Sequence, residues 1–146
     1  MRPPSIQLFE KTLLAALAVN LVATATNWGS ITAVLGDPRL AGLNLGEGFV
    51  IATVAVSFVI YLVLWFFIAR QASVVAKWIF VALTALGLLN FVQVLATTEL
   101  VVGLVPLLGA VALVLQVYAA WLLFRADATA WLDGGGSDPG PPGPIT

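Results

Sequence analysis

Four amides and a few hydroxyls are the whole chemical repertoire of the apolar interior of this sequence. Asn20, Asn90, Gln93 and Gln116 lie within long hydrophobic runs, and Thr12, Thr24, Thr53, Ser57 and Tyr61 accompany them. None is charged at neutral pH. Amides and hydroxyls donate and accept hydrogen bonds, so their chemistry here is recognition or packing. Read as helices, the runs sort these groups onto faces. Thr12, Ala16, Asn20 and Thr24 recur every fourth residue, with Asn27 adjoining, which aligns them along one helix face. Asn90, Gln93 and Thr97 stand at i, i+3 and i+7, Thr53, Ser57 and Tyr61 share a third face, and Gln116 lies deeper. Two readings follow. In the first, which the sequence favours, Asn20 bonds to Asn90 or Gln93 and the amides hold a bundle together in lipid. In the second, Asn20, Thr24, Asn27, Asn90 and Gln93 line a polar pocket that receives a small neutral or amphipathic ligand.

Other chemistry is absent from the residues. The chain has no cysteine and no histidine, which removes thiolate chemistry, disulfides and the commonest metal ligand and proton shuttle. No Gly-rich phosphate loop, zinc spacing or hydrolase elbow is present. The expectation is a protein without catalysis, metal or cofactor of its own. No ionisable side chain sits in the middle of a hydrophobic run, where proton relays and ion pathways place them. Small multidrug exporters are similar in size and helix count, but they carry a glutamate within the first helix. Here Asn20 stands at that depth and Glu10 lies at the edge, so proton-coupled export of that kind is not expected.

The elements that must position these groups follow from composition. Of 146 residues, 61% are hydrophobic and 9% charged, against roughly 45–50% and 25% in soluble domains. So short a soluble chain could not bury that much apolar surface, and its solvent must be lipid. Four runs are long enough to cross a hydrocarbon core: 9–28 (or on to Leu35), 49–69, 78–97 and 100–124. Lipid demands internal backbone pairing, so the expected fold is an all-α membrane protein with four transmembrane helices in a domain over residues 1–132. Ser30 to Leu35 reads as a short surface helix, Gly36 to Gly48 as a loop, and Thr97 to Glu99 as a tight turn. Pro106, between Gly103 and Gly109, reads as a kink inside the fourth helix. Ala126 to Leu132 reads as an extension on the membrane interface with Trp131 as its anchor. The Gly/Pro-rich residues 133–146 read as a disordered tail. A signal peptide is the rival reading of the start, with Ala23-Thr24-Ala25 as its cleavage site. Glu10 and Asn20 argue against it.

Orientation is legible in the cations. With both termini cytoplasmic, Arg2, Lys11, Arg70, Lys77 and Arg125 lie inside and Arg39 alone outside, a strong positive-inside bias. Trp65, Trp78, Trp121 and Trp131 then fall near the inner interface and Trp28 near the outer. Lys11, Arg70, Lys77 and Arg125 are the expected topology anchors. In the stretch "ARQASVVAKW", Arg70 suits the negative end of one helix, Ser73 caps the next, and Lys77 snorkels back to the headgroups. A net charge of −1 lacks the basic face that nucleic acid requires.

Two stretches, "WFFIARQASVVAKWIFVALTALGLL" (Trp65 to Leu89) and "LQVYAAWLLFRADATAWL" (Leu115 to Leu132), carry a family resemblance, with "LFE" at Leu8 to Glu10 and "NW" at Asn27-Trp28. In them the chain resembles a group of uncharacterised small bacterial four-helix integral membrane proteins. The resemblance implies the topology and a multi-pass place in the bacterial inner membrane, and brings no activity with it. The functional expectation is a non-catalytic accessory or scaffolding protein, whose partners are the lipid bilayer and a membrane protein or a second copy of the chain. The alternative is a binding or transport unit for a neutral or amphipathic small molecule, acting as an oligomer.

Overall fold

The structure is a computed structural model that describes residues 2–36, 46–97 and 103–136. The expected loop over residues 37–45, the turn at 98–102 and the tail from 137 onward lie outside the described residues. All regular elements among the described residues are helical. Four helices are long and apolar enough to cross a membrane.

Helix α1 (Pro4–Thr26) opens on a proline, a residue suited to that position because its missing N–H would have no intrahelical partner. It begins before the expected Phe9 because the polar residues ahead of Phe9 are satisfied within the fold, as described below. The chain turns at Asn27 into a short helix, α2 (Trp28–Ala33), followed by a 3-10 turn over Val34–Gly36. This is the expected surface helix, begun at Trp28. Helix α3 (Glu47–Gln71) carries Glu47 in its first turn and Arg70 in its last, both favourable to the helix dipole. It stops at Ala72, which takes the left-handed conformation (φ 51°). The Ser73 N–H then returns to the Phe67 carbonyl at 3.0 Å. Helix α4 (Val74–Thr97) follows at once, and the Ser73 hydroxyl accepts the Ala76 N–H at 3.2 Å, the N-cap expected from sequence.

Helix α5 (Leu104–Leu122) corrects the reading of Pro106. The helix starts at Leu104 with Gly103 as its N-cap, so Pro106 sits in the first turn. Backbone N–H groups there have no intrahelical acceptor to lose, and no kink is required. Helix α6 (Ala126–Asp133) includes Asp133, and Gly134 to Gly136 form a turn behind it. The irregular segment therefore does not begin at Asp133.

The four long helices form a ring in which α1 and α4 each lie beside α3 and α5. The α1–α5 pair is the most extensive, and Ala16, Ala112 and Ala119 are buried in these two helices. Small residues let helix backbones approach closely where no hydrophobic effect drives them together.

Burial is uneven along the bundle. It involves α1 up to Leu17, α3 from Leu64, α4 up to Thr84 and α5 from Ala112. One end is therefore closed, around Ile6, Phe9, Leu13, Ile68, Phe80 and Leu122. The Phe80 ring meets Phe9 edge-on with centroids 5.5 Å apart, and Tyr61 at 6.3 Å. Helix α6 folds back onto this end and buries Ala128, Trp131 and Leu132. Trp131 is 4% exposed, so it is a core residue and not an interface anchor. Toward the other end the described residues bury little against one another. There the Trp28 indole N–H donates to Glu47 Oε1 at 3.0 Å and links α2 to α3.

Candidate functional site

Where close packing stops, the helices leave a cleft of about 370 Å³ between α1, α3 and α5, within the size range of small-molecule sites. Leu17 lies at its closed side. Asn20 and Thr24, one turn apart, come from α1. Thr53, Ser57 and Tyr61, each one turn from the next, come from α3, and Gln116 comes from α5. The four-residue spacings that align polar groups on two different helices thus face one space.

The hydroxyls are not equivalent. Thr53 Oγ1 donates to the Phe49 carbonyl and Ser57 Oγ to the Thr53 carbonyl, each at 2.9 Å. Their protons are committed to their own helix, which leaves oxygen lone pairs for the cleft. The Asn20 and Gln116 amides supply both donors and acceptors. Among the described residues no Asp, Glu, Lys or Arg lines the cleft.

A second hollow of about 190 Å³ lies between α1, α4 and α5. Asn20 and Gln116 line it as well, joined by Asn90. Gly87 and Gly109 keep it open, and a Cβ at Gly109 would meet nothing within 4 Å. The two amides on the α1–α5 seam therefore border both spaces. Among the described residues, the side chains of Asn20, Asn90 and Gln116 make no hydrogen bond to another protein group.

The expected residues divide accordingly. Asn20 and Thr24 line the larger cleft, and Asn20 and Asn90 the smaller hollow. Asn20 and Asn90 share a space without a bond between them. Asn27 lines neither: it is the C-cap of α1, and its carbonyl accepts the Ser30 and Ile31 N–H groups at the turn into α2. Gln93 lines neither and has an interaction of its own. Gln116, only 8% exposed, is the residue common to both spaces that the sequence did not place in the site. Its signal was an amide in an otherwise apolar run, but which helix would face it was not readable.

Among the described residues, the charged groups other than Glu47 gather at the closed end, away from the cleft. Glu10 accepts Arg2 at 2.6 Å and Arg70 at 3.4 Å. The Asp127 carboxylate accepts the Ser5 hydroxyl at 2.8 Å and the Ser5 backbone N–H at 3.1 Å. Arg125 is 3.9 Å from Asp127, and Lys11 is exposed. Partial burial pushes the Asp127 carboxyl upward, but the Ser5 bonds and neighbouring backbone N–H groups outweigh it and hold the group below its ordinary value. Lys77 departs from expectation. It is 7% exposed, and its ammonium lies 4.3 Å from the centre of the Phe124 ring. The ammonium lies over the ring, a cation–π arrangement. Among the described residues no group of three metal-ligating side chains comes together.

No protein-family model, curated protein or solved structure matches the chain.

Proposed function

We propose that this chain is a multi-pass membrane protein of the bacterial inner membrane that binds an uncharged, polar or amphipathic small molecule in the cleft between α1, α3 and α5. One observation carries the reading: Asn20 and Gln116 border both hollows, and neither bonds to another protein group among the described residues. An unsatisfied amide at membrane depth is costly. A bundle held by amide pairing would have joined these groups, which is why a binding role takes precedence over a scaffolding one. The lining favours a ligand with hydroxyl or N–H groups, since Thr53 and Ser57 present acceptors and the amides present both functions. With no charged side chain among the described residues of the lining, a charged ligand would lose its hydration without compensation there. The groups present suit recognition and not bond-breaking. The cation asymmetry supports cytoplasmic termini and a cytoplasmic closed end, an orientation in which the cleft opens toward the outer half of the bilayer.

The test uses the absence of native cysteine. Ser57→Cys faces the cleft and Val56→Cys, at nearly the same depth, is exposed on another face. A wet, ligand-accessible cleft makes Ser57→Cys react with a small polar thiol reagent while Val56→Cys stays inert. Equal inertness of the two would return the amides to a packing role.

A further inference from the structure

We infer that the ligand is a lipid with an uncharged, hydroxyl-bearing head, whose hydrocarbon chain lies in a groove between α4 and α5. The inference rests on the cleft reading above and adds the class of molecule.

The groove, about 570 Å³, runs along α4 and α5. Its lining is almost entirely apolar, with Leu88, Val114 and Val117 on its walls and Tyr118 and Trp121 at one end. Phe91 and Leu113 line both this groove and the amide hollow. The hollow in turn shares Asn20 and Gln116 with the polar cleft. Three spaces thus adjoin in sequence: hydroxyl-lined, amide-lined and hydrocarbon-lined. From Leu113 to Trp121 the groove follows α5 for about 12 Å, at 1.5 Å per residue, a length suited to an extended chain.

Physical chemistry selects the occupant. A small polar solute would use the cleft and leave the groove to bulk lipid. A bare hydrocarbon would leave the amides unpaired. A molecule with both parts satisfies both spaces. Among the described residues no Lys, Arg, Asp or Glu lines any of the three, so a phosphate or ammonium head would find no counter-charge there. Neutral hydroxyls meet the amide donors and acceptors and the free lone pairs of Thr53 and Ser57.

Photolabelling of the full chain in phospholipid nanodiscs tests this, using a monoacylglycerol with a diazirine in its acyl chain. Adducts should concentrate on Phe91, Leu113, Val114 and Val117. Unlabelled monoacylglycerol should displace them, and lysophosphatidic acid of the same chain length should do so several-fold less well. Asn90→Leu, which removes one bonding partner for the head, should weaken that competition about two- to tenfold, the range expected from one net hydrogen bond. Adducts spread equally over lipid-facing residues such as Val56 and Leu86 would overturn the inference. So would exclusion of the probe with Val114→Cys forming a disulfide between copies, since a second copy would then fill the groove. The Ser57→Cys assay separates the failures. A reactive Ser57→Cys with random labelling ends the lipid inference alone; an inert one ends the cleft reading as well.

Discussion

Asp127 caps the first helix of the chain from the last one: its two carboxylate oxygens take the hydroxyl and the backbone N–H of Ser5. Ser5 lies in the first turn of α1, which has no side-chain cap of its own at Pro3. The carboxylate satisfies an otherwise orphaned N–H and places negative charge at the positive end of the helix. Asp127→Ala should therefore cost about 1 kcal/mol, the usual loss for a helix cap, measured by unfolding in bicelles at neutral pH.

The same contact gives stability a pH dependence. Asp127 is held below its ordinary value of 3.8. A carboxyl depressed in the folded state stabilises fully above its unfolded value, and that contribution is lost as pH falls through the folded one. Unfolding of the wild type should become easier as pH drops below about 4. In Asp127→Asn this part of the acid loss should be missing. An identical acid profile in the two proteins would show that the carboxylate is not the titrating group.

Pro106→Ala should leave insertion and stability nearly unchanged, within about 0.5 kcal/mol. The proline stands in the first turn of α5, where no intrahelical bond awaits its missing donor. A gain of several degrees in melting temperature on restoring the N–H would mean that the proline had interrupted a longer helix.

Lys77 and Phe124 should be energetically coupled. Phe124→Leu removes the ring beneath the ammonium and should cost about 0.5–2 kcal/mol. In a Lys77→Met background the same change should cost less, because no cation then needs the ring. Equal costs in both backgrounds would reduce their 4.3 Å approach to ordinary packing.

Asn20→Leu and Gln116→Leu should be neutral or stabilising, and their effects should add, if both amides face a filled or wet space. Paired amides would behave otherwise. Each single change would destabilise by about 0.6 kcal/mol, the average for membrane hydrogen bonds, and the double change would cost less than the sum. A double-mutant cycle by steric trapping distinguishes the cases.

Topology is checked with single cysteines in intact cells. Gly48→Cys, exposed near the start of α3, should react with an impermeant maleimide added outside, and Gln71→Cys, at its end, only after permeabilisation. The opposite pattern would invert the orientation and turn the cleft toward the cytoplasm.

The elements were legible in the sequence because lipid-spanning helices need only length and apolarity. The Ser73 cap and the helix after Trp28 were legible because their signals are local. What failed depended on partners far along the chain. Trp131 looked like an interface tryptophan because nothing near it shows that α6 folds back on the closed end. Lys77 looked free to snorkel because Phe124 lies on another helix. Asn20 was assigned to Asn90 or Gln93 on depth alone. It does share a hollow with Asn90, though without a bond, and the close α1–α5 pairing also puts it with Gln116 on the cleft lined by Ser57 and Tyr61. Pro106 was misplaced for a different reason: its meaning depends on where the helix begins, and the apolar residues before it look the same in or out of a helix.

The union of α1 with α5 and α6 also has a consequence for biogenesis. Ser5 and Asp127 are separated by 122 positions. At about 5–20 residues per second of synthesis, α1 is made roughly 6–24 s before its cap exists. For most of that interval it has neither α5 to pair with nor Asp127 at its N-terminus. The first helix is thus a waiting subunit of its own protein until the last helix is made and latches onto its N-terminus.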